Sequence, residues 1–438
     1  MKASDAFYRY TAGRLADYLY QELKLHPGRG DYRIASVTSG PRVLTLNLLI
    51  NPSHAHRVIG MAQQLSMAAG LDGEQIIRAA RGNRGTLALE IPKPRDMWYD
   101  VPVQALPRRR GLRAPVGIDV GHRPALVDFA DPLTPHLLSA GTTGSGKTNV
   151  ARLLVYDLAG QNEPEDVRLL LIDTKKRGMA WRPFAALPHL RHPIITDDGT
   201  ALQALAWAVA EVDRRAVDGR SRPAIFLAID EAQALLDRPE FQQPVDDLAA
   251  TGREFGIHLL LAMQDPTAAQ MGSASIKRNL STRMVGKTTD SVAAAVAAGI
   301  KESGAERLTG PGDQLFISPA GIRRVTAALV TVDDLARLPA GEAIDHLDLE
   351  EYQDVEHVRE QAGSAARAAR AAPLEPAHVG HALVHRVGIN RLARELGIGS
   401  GRARRVRDFA DGLLSALEGL GHTIIPASQD IPPGSVTD

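Results

Sequence analysis

HLLSAGTTGSGKTNVARLLVYDLAG (136–160) is the stretch that decides the fold. A short apolar run, HLLSA (136–140), leads into Gly141, Thr142, Thr143, Gly144, Ser145, Gly146, Lys147 and Thr148, and a helix-patterned segment follows from Asn149. This is G-x-x-x-x-G-K-[ST] between a strand and a helix, the context that gives the pattern its meaning as a phosphate-binding loop. Glycines let successive backbone N–H groups converge on phosphate oxygens at a helix N-terminus. On this reading residues 141–149 hold ATP. Lys147 reaches the β- and γ-phosphates, and the Thr148 hydroxyl coordinates Mg2+. A second GKT, Gly286–Thr288, has Ser281 where the first glycine belongs and reads as a strand exit.

About eighty residues on, AIFLAIDEAQALL (224–236) ends an apolar run on two acids, Asp230 and Glu231. In a nucleotide hydrolase the first acid holds the Mg2+ shell, and the second orients and deprotonates the attacking water. The next apolar run, IHLLLAM (257–263), ends in Gln264, an amide placed to report the γ-phosphate. Arg253, in TGREFG before that run, reads on spacing alone as a solvated surface arginine.

With VRLLLID (167–173), these runs alternate with helical segments from about 116 to 345, the pattern of a parallel α/β sheet covered on both faces. Phosphate loop and acid pair together indicate a RecA-like P-loop ATPase core. Before it, residues 1–115 form an expected α/β subdomain: VLTLNLLI (43–50) and TLALEI (86–91) read as strands, SHAHRVIGMAQQLSMAAGL (53–71) as one amphipathic helix, and PRRRGLRAP (107–115) as a linker. After the core come a linker at 346–378, a compact helical segment at 379–424 and an expected disordered tail at 425–438. INRLARELGIGSGRARRVRDFADGLLSAL (389–417) reads as helix, Gly turn, helix, with Arg402, Arg404 and Arg405 early in the second helix, where a helix-turn-helix contacts the major groove.

The 438 residues suit two to four domains, and the zero formal net charge excludes a wholly basic DNA-coating protein. No cysteine is present, so thiolate metal sites and disulfides are excluded. No 18-residue uncharged apolar run occurs and the N-terminus lacks a signal-peptide core, so the expectation is a cytoplasmic protein without an integral membrane segment.

The lead-in VGIDVGHRPALVDFADPLTPHLLSAGTTGSGKTN (116–149), LLLIDTKKRGM (169–179), IDEAQALL, GREFGIHLLLAMQDP, IKRNLSTRM (276–284) and GAERLTGPGDQLFISPAGIRRVTAALVTVDDL (304–335) follow one another in the order of the FtsK/SpoIIIE DNA translocases, which the chain resembles from about residue 33 to 340. The resemblance implies an ATP-driven ring, a hexamer, that pumps double-stranded DNA through its pore in mobile-element transfer or DNA segregation. It makes Arg253 an arginine finger offered to a neighbouring subunit, with Arg283 as second choice. It also makes the C-terminal segment a winged-helix-like DNA reader, although no wing hairpin is evident. Pore-loop phosphate contacts are assigned to Lys277 and Arg278. Alternatives are a viral genome-packaging ATPase and an ATP-switched, sequence-specific regulator or replication initiator.

Overall fold

The computed structural model describes residues 3–352, apart from 72–74, 82–84, 109, 268–270, 272–273 and 344–345, together with Val406. The expected helix-turn-helix with Arg402, Arg404 and Arg405, and the tail, lie outside the described residues, Val406 excepted.

The chain first builds a four-stranded antiparallel sheet, order β1-β2-β4-β3, from β1 (Tyr32–Ser39), β2 (Val43–Ile50), β3 (Arg78–Arg81) and β4 (Leu87–Pro92). Leu44, Leu46 and Leu48 alternate along β2 onto one face, where they bury against Leu15 and Leu19 of the helix Ala3–Leu23. The stretch expected as one helix from 53 to 71 is two, Pro52–Gly60 and Ala62–Ala68, separated at Met61. Gly60 precedes the break, and glycine is the weakest ordinary residue at holding a helix, by about 1 kcal/mol against alanine. The first piece is started by Pro52 and by Asn51, whose Oδ1 accepts from Ser53 N at 3.1 Å.

The large sheet comprises β5 (Val101–Pro102), β6 (Arg113–Asp119), β7 (Pro124–Asp128), β8 (Leu137–Gly141), β9 (Val167–Ile172), β10 (Ala224–Ile229), β11 (Ile257–Gln264), β12 (Thr282–Val285), β13 (Asp313–Ser318) and β14 (Gly321–Leu329). Its order is β7-β6-β14-β13-β12-β8-β11-β10-β9, with β5 beside β14. From β12 to β9 neighbouring strands are parallel; β13, β14, β6 and β7 extend the sheet antiparallel. The expected linker at 107–115 therefore ends inside the sheet, because Ala114 and Val116 are fully buried and β6 pairs with β14.

Every residue of β8, β9 and β10 is buried. Alternate residues serve opposite faces: Leu138, Leu170, Ile172, Leu227 and Ile229 join one core, and Leu137, Leu169, Leu171, Phe226 and Ala228 the other. Helices on both faces, among them Lys147–Gln161 and Asp198–Asp218, complete these cores. A strand buried on both faces has no polar alternation to show, which is why these runs read as continuously apolar. Among the described residues no helix is long and apolar enough to cross a membrane.

Register fixes the site. Gln264 pairs with Gly141 across β11 and β8, and Ile229 pairs with both Leu261 and Ile172. The C-terminal ends of the phosphate-loop strand, the acid-bearing strand and the strand between them thus lie along one edge, where ligands bind in doubly wound sheets.

Candidate functional site at the strand ends

The phosphate loop needs its glycines for space and for backbone sign. Gly141 has φ +144° and Gly146 φ +103°, both outside the range that side-chain-bearing residues favour. A Cβ on Gly141 would sit 2.8 Å from Ser145 Oγ and 2.9 Å from the Lys287 carbonyl, and one on Gly146 would sit 3.2 Å from Gly312 N. Those neighbours are a cradle. Thr142 N and Oγ1 donate to Lys287 O at 2.7 and 3.0 Å, Gly286 N donates to Ala140 O at 2.8 Å, and Gly312 N donates to Ser145 O at 3.2 Å. The second GKT is indeed a strand exit, and its backbone supports the loop it imitates.

Lys147, at the start of the helix Lys147–Gln161, donates to Thr142 O at 2.9 Å, so its ammonium lies over the loop. Burial lowers its pKa, against the raising influence of Glu231 and Asp230. Thr148 Oγ1 donates to Asp230 Oδ1 at 3.2 Å. A hydroxyl and a carboxylate at one point are the donor set that Mg2+ takes beside substrate phosphates and its own waters. The residues present fit such an ion.

Glu231 sits at φ +52°, a strained value for a residue with a side chain. Its carboxylate is held from both sides: Lys176 Nζ lies 2.5 Å from Oε1, and Gln233 Nε2 donates to Oε2 at 2.5 Å. Burial pushes its pKa up, but those two hydrogen bonds and the charges of Lys176 and Lys175 outweigh burial and leave the carboxyl below its ordinary range. Asp230 goes the other way: burial raises it and Lys176 only partly compensates. Lys176 itself is shaped by Asp173, whose Oδ1 accepts from Lys176 N at 2.9 Å and whose Oδ2 accepts from Ala180 N at 3.0 Å. Gln233 carries the link onward, its Oε1 accepting from Gln264 N at 3.1 Å. The strand between loop and acids is therefore wired to Glu231 through Gln233.

The other predicted residues are distributed differently. Asn149 is adjacent to the loop, but its side chain pins the helix to the end of β14, donating to Ala328 O at 2.7 Å and accepting from Val330 N at 3.2 Å. Arg253 lies at the opposite edge of the sheet, before β11, and donates to Pro132 O at 2.8 Å. Arg283 is buried, 4% exposed, and bonds the carbonyls of Leu280 and Ala297. Lys277 and Arg278 fall in the short helix Ala274–Asn279, with Arg278 exposed. Sequence reasoning about the site did not single out Lys176, Gln233, Lys287 or Gln314. Lys175 and Lys176 stood next to Asp173 at a strand end, the same signal that marked Asp230 and Glu231.

Residues 106–221 match the FtsK/SpoIIIE family model. That is the stretch over which this chain is similar to the FtsK/SpoIIIE family. It runs from before β6 through the phosphate loop and the Lys175–Lys176 turn to just before β10. Over 370 residues the chain is 27% identical to the DNA translocase FtsK of Pseudomonas putida, covering 72% of this chain and 43% of that protein. Over 314 residues it is 29% identical to the DNA translocase SftA of Bacillus subtilis, covering 65% of this chain and 32% of that one. The chain thus spans less than half the length of these relatives. Among solved structures, the cytoplasmic domain of the Thermomonospora curvata Type VII secretion ATPase EccC is 26% identical, with a TM-score of 0.48, over 56% of this chain and 33% of that chain.

Proposed function

We propose that this chain is the motor of an ATP-driven double-stranded DNA translocase that works as a ring, a hexamer, in mobile-element transfer or DNA segregation. The observation that carries the reading is the convergence of Lys147, Thr148, Asp230 and Glu231 on one strand-end edge of a parallel sheet. The relatives named as DNA translocases supply the substrate class. In this reading the N-terminal sheet and the large sheet are the two parts of the engine, and the segment at 379–424 reads DNA through Arg402, Arg404 and Arg405.

Lys147 and the N–H groups of the loop bind the β- and γ-phosphates. Mg2+, held by Thr148 and Asp230, would supply charge neutralisation on the transferring phosphoryl group. Glu231 is anionic at neutral pH, so it is ready to accept a proton from the attacking water. Lys176 occupies that carboxylate in the present state, and the base becomes free when this ion pair opens. Arg253 belongs to the far edge and acts on the nucleotide of the adjacent subunit.

Duplex-stimulated ATP turnover, followed together with displacement of a triplex-forming strand along linear DNA, tests the reading. Turnover with strand displacement is the expected outcome. Nucleotide binding without duplex stimulation or displacement would instead identify an ATP-switched binder.

A further inference from the structure

A buried ionic chain crosses from the small sheet into the large one and ends beside the phosphate loop. Glu90 of β4 is 6% exposed and takes both ends of its carboxylate into ion pairs. Arg78 of β3 meets it at 3.0 Å, and Arg324 of β14 at 2.9 Å. Arg324 continues to Asp313 of β13 at 2.6 Å, and Asp313 also accepts from Thr309 N at 2.7 Å. Arg78 makes a second crossing, donating from Nε to Ser303 O at 2.9 Å.

Asp313 and Gln314 are neighbours on a strand, so their side chains leave opposite faces. On one face Asp313 is gripped by Arg324. On the other, Gln314 Nε2 donates to Ser145 O at 3.4 Å, and the adjoining Gly312 N donates to the same carbonyl at 3.2 Å. The strand start 312–314 is therefore held by the N-terminal sheet through one face and touches the phosphate loop through the other.

An apolar contact would join two sheets at no lower stability, because a buried ion network is usually matched or bettered by packed hydrophobics. What alternating charges add is one permitted register between the parts. We propose that Arg78, Glu90 and Arg324 are positioning residues for nucleotide binding. Through Asp313, Gly312 and Gln314 they set the phosphate loop, so the N-terminal sheet controls how well the loop holds a nucleotide. The proposal rests on the loop being the ATP site.

The test uses the full chain and a fluorescent ADP. Arg78→Gln with Glu90→Gln removes one charge of each sign and leaves the Arg324–Asp313 pair intact, so no buried charge is left unpaired. Gln314→Leu cuts the same path at its loop end without touching the ions. Each should weaken ADP binding roughly tenfold, within the range of ordinary site-to-site coupling. Combined, they should lose no more than either alone, because both cut one path. Thermal melting is read in parallel. Early melting with native ADP affinity in Arg78→Gln/Glu90→Gln would make the chain purely structural and overturn the proposal, as would losses that add in the combined variant. If the native chain binds no ADP, the ATP-site reading falls and takes this proposal with it.

Discussion

The two edges of the large sheet are chemically unlike. At the C-terminal strand ends Asp173, Asp230 and Glu231 gather around Lys147 and Lys176 beneath a glycine loop. At the N-terminal ends lies an open cleft of about 1100 Å3 whose lining includes Arg110, Arg220, Arg222, Arg253 and His258. Strand β10 runs from Ala224 at the cleft to Ile229 beside the acids, a separation of roughly 17 Å at the rise of an extended chain. No arginine side chain covers that distance, so the cleft arginines cannot serve their own subunit's phosphate loop. Arg110, Arg220 and Arg222 pair with Glu163, Asp218 and Asp166 in exposed ion pairs, each worth at most about 1 kcal/mol and readily exchanged. Among the described residues Arg253 has no carboxylate within ion-pairing distance. In the ring proposed above, one subunit would offer its acidic edge to its own nucleotide and its cleft arginines to its neighbour's.

The largest effects should come from the acidic edge. Lys147→Ala removes the phosphate clamp, and both nucleotide binding and turnover should fall to background. Glu231→Gln should lower turnover by about 100-fold or more, the usual worth of a positioned general base, while nucleotide affinity stays within a few-fold of native. Equilibrium binding of a fluorescent nucleotide beside steady-state hydrolysis separates the two. Equal loss of affinity in both variants would mean that Glu231 helps hold nucleotide and is not the base.

A smaller and more discriminating effect is expected at the cleft edge. In the proposed ring, Arg253→Ala subunits should hydrolyse poorly, because every site would lack its neighbour's cation. Mixed with Lys147→Ala subunits, they should regain turnover wherever an intact loop faces an intact Arg253. Failure of every mixing ratio to exceed the separate activities would place Arg253 in a structural role, holding the Pro132 carbonyl. Arg283 would then be no substitute, since its guanidinium is spent on buried carbonyls of its own subunit.

Much of the acidic edge was legible in the sequence because each part lies at the end of an apolar run, and motif spacing carries the rest. The partners of those parts were not legible, because they arrive from afar. Lys287 and Gln314 reach the phosphate loop from 145 and 169 residues away in the chain. Lys176 meets Glu231 across 55 residues. Periodicity also missed Tyr32–Ser39, a strand at the sheet edge whose residues Arg33–Val37 are all exposed, so it has no buried alternation to display. The continuous apolar runs marked β8, β9, β10 and β11 but not the antiparallel strands β6, β7, β13 and β14, and they could not give strand order. Placing β11 between the loop strand and the acid strand is a property of the helical crossovers, which sequence pattern leaves open.

The smallest predicted effect distinguishes the edges by pH, and it should appear in stability and not in catalysis. His136 and His258 are buried near the cleft, their rings 6.4 Å apart. Burial, reinforced for His136 by the neighbouring His258, lowers their pKa values to about 3 and about 4. In an unfolded chain both sit near roughly 6.5. Between those values the unfolded state binds more protons, so the histidines make stability fall as pH falls. Asp157, on the cleft-side half of the helix that starts at Lys147, has the opposite sign. Burial raises it to about 7 although Arg108 opposes the shift, so from about 4 upward the folded state binds more protons, and stability falls as pH rises. Each group contributes at most about 1.4 kcal/mol per pH unit. Two histidines against one aspartate leave a net gain in stability from pH 5 to 7. Urea unfolding at those two pH values should show that gain enlarged in Asp157→Asn and reduced in His258→Asn. An unchanged gain in Asp157→Asn would mean that Arg108 keeps the carboxylate ionised in the fold, and that the helix joining the two edges carries a buried ion pair near the cleft.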